Sequence, residues 1–458
     1  MEHFSRWRQI FYSTGTIGQA LVDNIFGVYL LFFLIPPAET GMPELIDNQP
    51  LFFGLTAIGL IILFGRVIDS LADPLIAHFS DNSKSKMGRR KFFLMTGAFP
   101  LALCAALLFF PPDEGASTMN AVYVAVVLGL YFFFFTWYVA PYLALIPELS
   151  ATHKDRIMIT VLQAVFSLVG AAVILMGVPL LWGALEGTGL AKGTALKVTL
   201  GIMALIGFVS LLAAALPIDE KRFCKTEPAG VSLLKSLKMT LMNRSYIIYM
   251  IGAILFWFSF NVIRSIIAYY PVVLLGEKQD FQTILMVVLF GSAVVFFFII
   301  NSLAAKVTSK TMMLIGLLTF AVGMSMTWFV DQMGASKIIF TYGQMAFLGI
   351  PVAVLLVVPN AIVADISEVD SHRTGINREA MFFGTQGLFM KINYGIAAAI
   401  VSYLFAAFGK DAAAPLGVKL AGPVGGLFSL IGFFVFLFYP QNKVNDELKA
   451  IREERENG

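Results

Sequence analysis

Two carboxylates and a guanidinium interrupt what is otherwise an apolar helix. Arg66, Asp69 and Asp73 break a run of apolar residues that extends from Leu51 to about Ile76. A charged side chain at the centre of a bilayer costs about 2.5–3.5 kcal/mol on insertion scales. Three are tolerated only where they face one another or a water-filled cavity. Their spacing of i, i+3 and i+7 places all three within about 60° of each other at ~100° per residue. One helix therefore carries a polar stripe with one net negative charge, the balance expected of a cation site. Two carboxylates one turn apart repel when both are ionised, so the pair favours a shared proton or a bound cation.

Three more ionisable residues lie inside apolar segments: Asp23, Arg264 and Lys391. With the first three, their formal charges cancel. Static ion pairing between buried helices is the alternative use for such residues.

The elements that carry these residues are membrane spans. The chain has 458 residues, of which 58% are hydrophobic and only 13% charged, against about 25% charged in a soluble domain. Apolar segments of about 20 residues recur along its length, each enough to cross the hydrocarbon. The reading is an all-α membrane protein of twelve spans, near 10–35, 51–80, 92–111, 120–146, 156–182, 196–217, 245–275, 281–305, 311–331, 338–366, 379–408 and 421–440. Of the 32 basic residues, 23 fall on the side of the N-terminus, including Lys84–Lys91, Lys154, Arg156, Lys306 and Arg378. Only Lys192, Lys197, Lys278, Lys337, Lys410 and Lys419 fall opposite. The excess places both termini in the cytoplasm. A basic connection over 218–244 divides the spans into two six-helix halves, 1–217 and 245–440, followed by a charged tail over 441–458. Substrates of such two-half folds bind near the midplane.

Cys104 in a span and Cys224 in a basic loop imply no disulfide framework. Glycines within spans, such as Gly15, Gly18, Gly27, Gly170, Gly384 and Gly387, are read as packing positions. Tyr29, Trp137, Tyr138, Tyr142, Trp257, Phe258, Tyr269 and Tyr270 are expected mostly at lipid or at the interface, with a few lining a cavity. The four histidines are not grouped, and no nucleophile–base arrangement stands out, so an enzyme is not expected. Topology accounts for the basic loops, which leaves nucleic-acid binding without support.

Asp81 and the run Gly88-Arg89-Arg90-Lys91 resemble the cytoplasmic signature loop of the major facilitator superfamily. The wider run Arg66-Val67-Ile68-Asp69-Ser70-Leu71-Ala72-Asp73-Pro74 resembles the glycoside–pentoside–hexuronide cation symporters of that superfamily. The likeness extends to Tyr12, Gly15 and Gly18 in span one, Pro141 and Pro147 at the end of span four, and Glu379, Gln386 and Lys391 in span eleven. It implies a major facilitator fold in the plasma membrane, the inner membrane if the source is bacterial. It also implies that Asp69, Asp73 and Thr136 bind the cation and that Lys391 couples that site to the substrate; Arg66, beside the acids on the same helix, is read with Lys391 as tuning release of the ion.

The departures from the family pattern are informative. Ala72 stands where the family has an asparagine whose amide oxygen helps hold sodium. A proton needs no coordination shell, so this change favours H⁺ over Na⁺ at Asp69 and Asp73. The family's two galactoside-gripping carboxylates align with Ala20 and Val139, its stacking tryptophan with Leu143, and a span-five arginine with Gln163. Asp23, Tyr138, Gln163, Arg264 and Gln386 remain as substrate-binding candidates.

The expected function is secondary active transport by alternating access: symport of a monovalent cation with a small organic solute, favouring a glycoside, hexuronide or related sugar derivative. The expected assembly is a single chain without a cofactor or a metal beyond a coupling Na⁺. The alternatives are cation-coupled transport of a lysophospholipid or other amphipathic anion, and a non-transporting membrane sensor or scaffold.

Overall fold

The computed structural model describes residues 4–52, 55–150, 153–223, 240–303, 307–375 and 379–457. Cys224, Lys306, Arg378 and most of the 218–244 connection lie outside these, as do the side chains of Asp81, Lys154, Arg156 and Glu379.

The protein is almost wholly helical. The helices are α1 (Arg6–Leu34), α2 (Ala57–Asn82), α3 (Lys91–Leu107), α4 (Thr118–Leu149) and α5 (His153–Ala172, running through a π turn at Val173–Gly177 into Val178–Gly187). Next come α6 (Lys192–Ala215), the short α7 (Glu220–Phe223), α8 (Arg244–Ile266), α9 (Phe281–Leu303) and α10 (Ser309–Ser325). The series ends with α11 (Lys337–Thr374), α12 (Glu379–Phe408), α13 (Leu416–Phe436) and the polar tail helix α14 (Gln441–Asn457). Among the described residues, nine helical segments are long and apolar enough to cross a membrane.

Two compact units are present. The first comprises Met1–Pro228, Ile267–Ile284 and Ala398–Pro415; the second comprises Ala229–Ile266, Leu285–Ala397 and Leu416–Gly458. In the first unit α2 packs along α4, α3 lies against α4 and α6, and the Gly15–Asn24 stretch of α1 lies between α5 and α6. In the second unit α13 packs against α8 and α10, and α10 against α11.

Helix α2 starts at Ala57, six residues later than the apolar run suggests. Pro50–Phe52 and Leu55–Thr56 instead form a two-stranded antiparallel ribbon, β1 and β2. Thr56 then caps the helix, its hydroxyl accepting from the Gly59 N–H at 3.1 Å. Along α2 the exposed large apolar residues are Phe64, Val67, Leu71, Leu75 and Phe79. Their spacing of three or four makes one lipid-facing stripe. Arg66 and Asp69 are buried, and Asp73 is half-buried.

The aromatic residues correct the expectation. Tyr29, Tyr138, Tyr142, Phe258, Tyr269 and Tyr270 are all buried rather than facing lipid. A phenol is accepted inside a bundle once its hydroxyl finds a partner. Tyr138 donates to the Leu211 carbonyl at 2.8 Å and Tyr269 to the Ile35 carbonyl at 3.0 Å. Tyr142 donates to the Tyr12 carbonyl at 2.8 Å, and Tyr12 donates back to the Tyr142 carbonyl. The sequence does not reveal these partners, because they come from distant helices.

At one end of the first unit the 398–415 segment is clamped to the residues that follow α1. Lys410 is buried, and its ammonium meets the Pro36 carbonyl at 2.8 Å, Glu44 at 2.7 Å and Asp411 at 3.4 Å. The Asp411 carboxylate accepts from the Ala38 N–H, and Glu39 from the Ala412 N–H.

Candidate cation and solute site

The polar stripe of α2 meets α4 at Thr136. Its hydroxyl lies 2.9 Å from Asp69 Oδ1 and 3.2 Å from Asp73 Oδ1. Arg66 Nη1 donates to the other oxygen of Asp69 at 3.2 Å. Asp69 and Thr136 are sealed from solvent, while Asp73 retains partial access. The Arg66 guanidinium lies over two rings, 4.5 Å from the centroid of Phe132 and 5.3 Å from that of Phe26. Ring faces are weakly negative, so they stabilise a cation that has left water.

Close approach of the two helices makes this geometry reachable. A Cβ on Gly65 would lie 2.7 Å from the Phe132 ring. With hydrogen in its place, α4 comes near enough for a side chain as short as threonine to touch both acids. Gly65, Phe26 and Phe132 were not among the residues that sequence reasoning selects. Phe132 stands one turn before Thr136, and Gly65 precedes Arg66, but neither type carries a chemical signature of its own.

A hydroxyl has one proton to give. Two carboxylate oxygens at hydrogen-bond distance from one hydroxyl ask for two. The set Arg66, Asp69, Asp73 and Thr136 carries one net formal negative charge, and its two acids share one hydroxyl. A proton on a carboxyl group, or a small cation among these oxygens, would offset that charge. Hard oxygen donors suit either.

The other candidates are placed as follows. Asp23 is half-buried on α1, and the next residue, Asn24, bonds back to the Ala20 carbonyl at 2.8 Å. Tyr138 is committed to the Leu211 carbonyl and stacks on Tyr142 with centroids 5.7 Å apart. The backbone carbonyl of Gln163, itself buried, accepts from the Thr16 hydroxyl at 3.1 Å. Arg264, Gln386 and Lys391 belong to the second unit. The Arg264 guanidinium lies 5.4 Å from the Tyr394 ring centroid, Gln386 is buried, and Lys391 is half-buried.

The departure positions of the resemblance fall as follows. Ala20 meets α5 where a Cβ on Gly170 would come within 2.8 Å of the Ala20 Cβ. Val139 is buried, and Leu143 is exposed on α4. Ala72 packs with Ile76 and Phe93, with Phe133 and Trp137 against them.

A family model described as MFS/sugar transport protein matches residues 11–443. The chain belongs to that family. The finding agrees with the glycoside–pentoside–hexuronide symporter reading, and with a multi-pass protein of the plasma membrane. The uncharacterized symporter sll1374 of Synechocystis sp. is 23% identical, over 96% of this chain and 94% of its own. The isoprimeverose transporter of Lactiplantibacillus pentosus is 20% identical over 98% and 92%. The sodium-dependent lysophosphatidylcholine symporter 1 of Gallus gallus is 23% identical over 99% and 90%. Among solved structures, an inward-facing bacterial homologue of the human lysosomal transporter Spinster superposes with a TM-score of 0.69 at 11% identity, covering 97% of this chain and 99% of that one. Its likeness shows the major facilitator fold alone. These relatives are membrane transporters, not enzymes.

Proposed function

We propose that this protein is a proton-coupled symporter of a small organic solute, with a glycoside, hexuronide or related sugar derivative as the favoured cargo. Twelve spans in two six-helix halves, 1–217 and 245–440, joined by 218–244 and followed by the 441–458 tail, work by alternating access with both termini in the cytoplasm and as a single chain. Asp69, Asp73 and Thr136 hold the coupling ion. Arg66 tunes its release from α2, and Lys391 couples release to the solute. Asp23, Tyr138, Gln163, Arg264 and Gln386 are the residues offered for solute contact. Of these, Arg264 suits an anionic group such as a uronate.

The observation that carries this reading is the Thr136 hydroxyl within hydrogen-bond distance of both carboxylates. The net negative charge of the set is offset most simply by a proton, since position 72 offers no amide oxygen and packs among apolar side chains.

The test uses proteoliposomes. Gradient-driven accumulation of a labelled glucuronide is expected with an imposed pH gradient and not with a sodium gradient at equal pH. Asp73→Asn is expected to abolish accumulation while leaving exchange across the membrane. Undiminished accumulation by that variant sinks the coupling role.

A second reading has one specific support. The lysophosphatidylcholine symporter covers nearly the whole chain, and the sugar-gripping positions here are apolar. Proteoliposomes given a labelled lysophospholipid beside the glucuronide separate the two cargoes.

A further inference from the structure

A cavity of about 600 Å³ lies in the first unit where α1 begins and α6 ends. Its wall carries four basic side chains, Arg8, Lys86, Lys91 and Arg222, against two carboxylates, Asp219 and Glu220.

Glu220 is already committed. Its carboxylate accepts the backbone N–H groups of Arg89 at 2.8 Å, Arg90 at 2.7 Å and Lys91 at 2.5 Å, at the opening of α3. A helix N-terminus is the natural seat for such an anion. Glu220 therefore offsets the positive end of α3 rather than the cavity's lysines and arginines. The Lys91 ammonium is turned onto neutral carbonyls, Ile218 at 2.7 Å and Leu216 at 3.4 Å. Arg8 lies over the ring of Phe223, 4.6 Å from its centroid. Lys86 and Arg222 are exposed. Four cations of the wall thus stand formally against two carboxylates, one of them, Glu220, seated on the α3 amides.

Beside these charges the wall also carries the side chains of Trp7 and Leu216. Trp7 is 55% exposed and Leu216 62%. Ile10 and Phe11 continue that exposed face along α1. A tryptophan at the end of a span marks the headgroup level, and a basic pocket at that level suits an anionic headgroup with acyl chains alongside.

We propose that this cavity binds the headgroup phosphate of an anionic glycerophospholipid from the leaflet on the N-terminal side. Arg8 and Lys86 contact the phosphate, and Trp7 and Leu216 flank the chains. The proposal is independent of the cargo and of the coupling ion.

The full chain is assembled in nanodiscs of phosphatidylcholine with a minor fraction of phosphatidylglycerol. Lipid retained on the released protein is then counted by native mass spectrometry. Phosphatidylglycerol is expected to be retained in preference to phosphatidylcholine. Each cavity charge removed is expected to weaken retention about fivefold, so Lys86→Gln loses about fivefold and Arg8→Gln with Lys86→Gln about 25-fold. Lys278→Gln, a charge loss elsewhere on the surface, is expected to change nothing. Equal retention of the two lipids overturns the proposal, as does unchanged retention in Lys86→Gln. Displacement of phosphatidylglycerol by millimolar inorganic phosphate also overturns it, because the site then reads a soluble anion. Lys86 is exposed, so its single variant decides the matter even if the double variant fails to fold.

Discussion

At Lys410 one ammonium gathers three oxygens, whereas at Thr136 one hydroxyl proton faces two carboxylates. Both places lie in the first unit, and both combine a buried cation with two acidic side chains. At Lys410 the acceptors are the Pro36 carbonyl, Glu44 and Asp411, and the two acids keep 45% and 30% of their side-chain surface in water. The ammonium is surrounded by oxygens, and both acids stay open to solvent. At Asp69 the carboxylate is sealed, its two oxygens are held by Arg66 and Thr136, and Asp73 competes for the same hydroxyl. The first arrangement is complete as it stands. The second carries a net formal negative charge, with two acids sharing one hydroxyl, and that charge is what the proposed coupling ion would offset. Charge alone does not separate a clamp from an ion site; burial and the sharing of one hydroxyl between two acids are the proposed marks of the second.

The sharpest way to break this comparison is to remove the sealed acid. Asp69→Ala leaves the Arg66 guanidinium buried without its carboxylate partner on α2. Losing one member of a buried pair costs about 3–5 kcal/mol. The expected result is a fall in thermal stability in detergent together with loss of coupled accumulation. Asp69→Asn, which keeps an oxygen toward Arg66, is expected to restore much of the stability and none of the coupling. Full coupling in Asp69→Asn would show that α2 holds an ion pair and nothing more.

A smaller push tests the spacing of the helices. Gly65→Ala puts a methyl 2.7 Å from the Phe132 ring. Overpacking of this kind costs about 1–3 kcal/mol. The helices are expected to part by a few tenths of an ångström, and Thr136 then reaches one acid less well. Measured at fixed solute, the pH dependence of uptake is expected to shift while maximal exchange stays near its usual value. An unchanged pH profile would mean that Thr136 does not share the ion.

How far such features are legible in the sequence depends on their range. The stripe of α2 can be read from spacing, because Arg66, Asp69 and Asp73 share a helix and period alone sets their face. Membrane class and family follow from local patterns in the same way. Phe132, Phe26 and Gly65 cannot be read so, since their part in the site depends on how closely α2, α4 and α1 approach. The buried tyrosines fail for the same reason: Tyr138 and Leu211 are 73 residues apart. Glu220 at the start of α3 is a third case, a capping carboxylate supplied from about 130 residues away.

Position 72 sharpens the comparison by adding what the cluster lacks. Ala72→Asn introduces an amide oxygen one residue from Asp73, into a niche formed with Ile76 and Phe93. A buried amide with poor partners costs about 1–3 kcal/mol. The expected outcome is a lower melting temperature without sodium and a partial recovery with it, since hard oxygens are what sodium needs. Stabilisation by bound ion follows mass action and should grow with sodium concentration. A variant that sodium leaves unmoved would show that the absence of an oxygen at position 72 does not set ion choice.

The smallest effect belongs to the complete cluster. Lys410→Gln removes the ammonium but keeps a donor for the Pro36 carbonyl. Glu44 and Asp411 already touch water, so each can be rehydrated when the cation goes, and Asp411 keeps the Ala38 N–H. Pairs with this much solvent contact contribute about 0–1 kcal/mol. The expected stability loss is therefore within that range. The pH and sodium dependence of uptake should match the parent protein, because no proton or ion is expected to exchange at a site whose acids already hold an ammonium and stay open to solvent. A shift in ion dependence in Lys410→Gln would show the opposite: that the clamp takes part in coupling, and that solvent-open acids around an ammonium do not mark a static site.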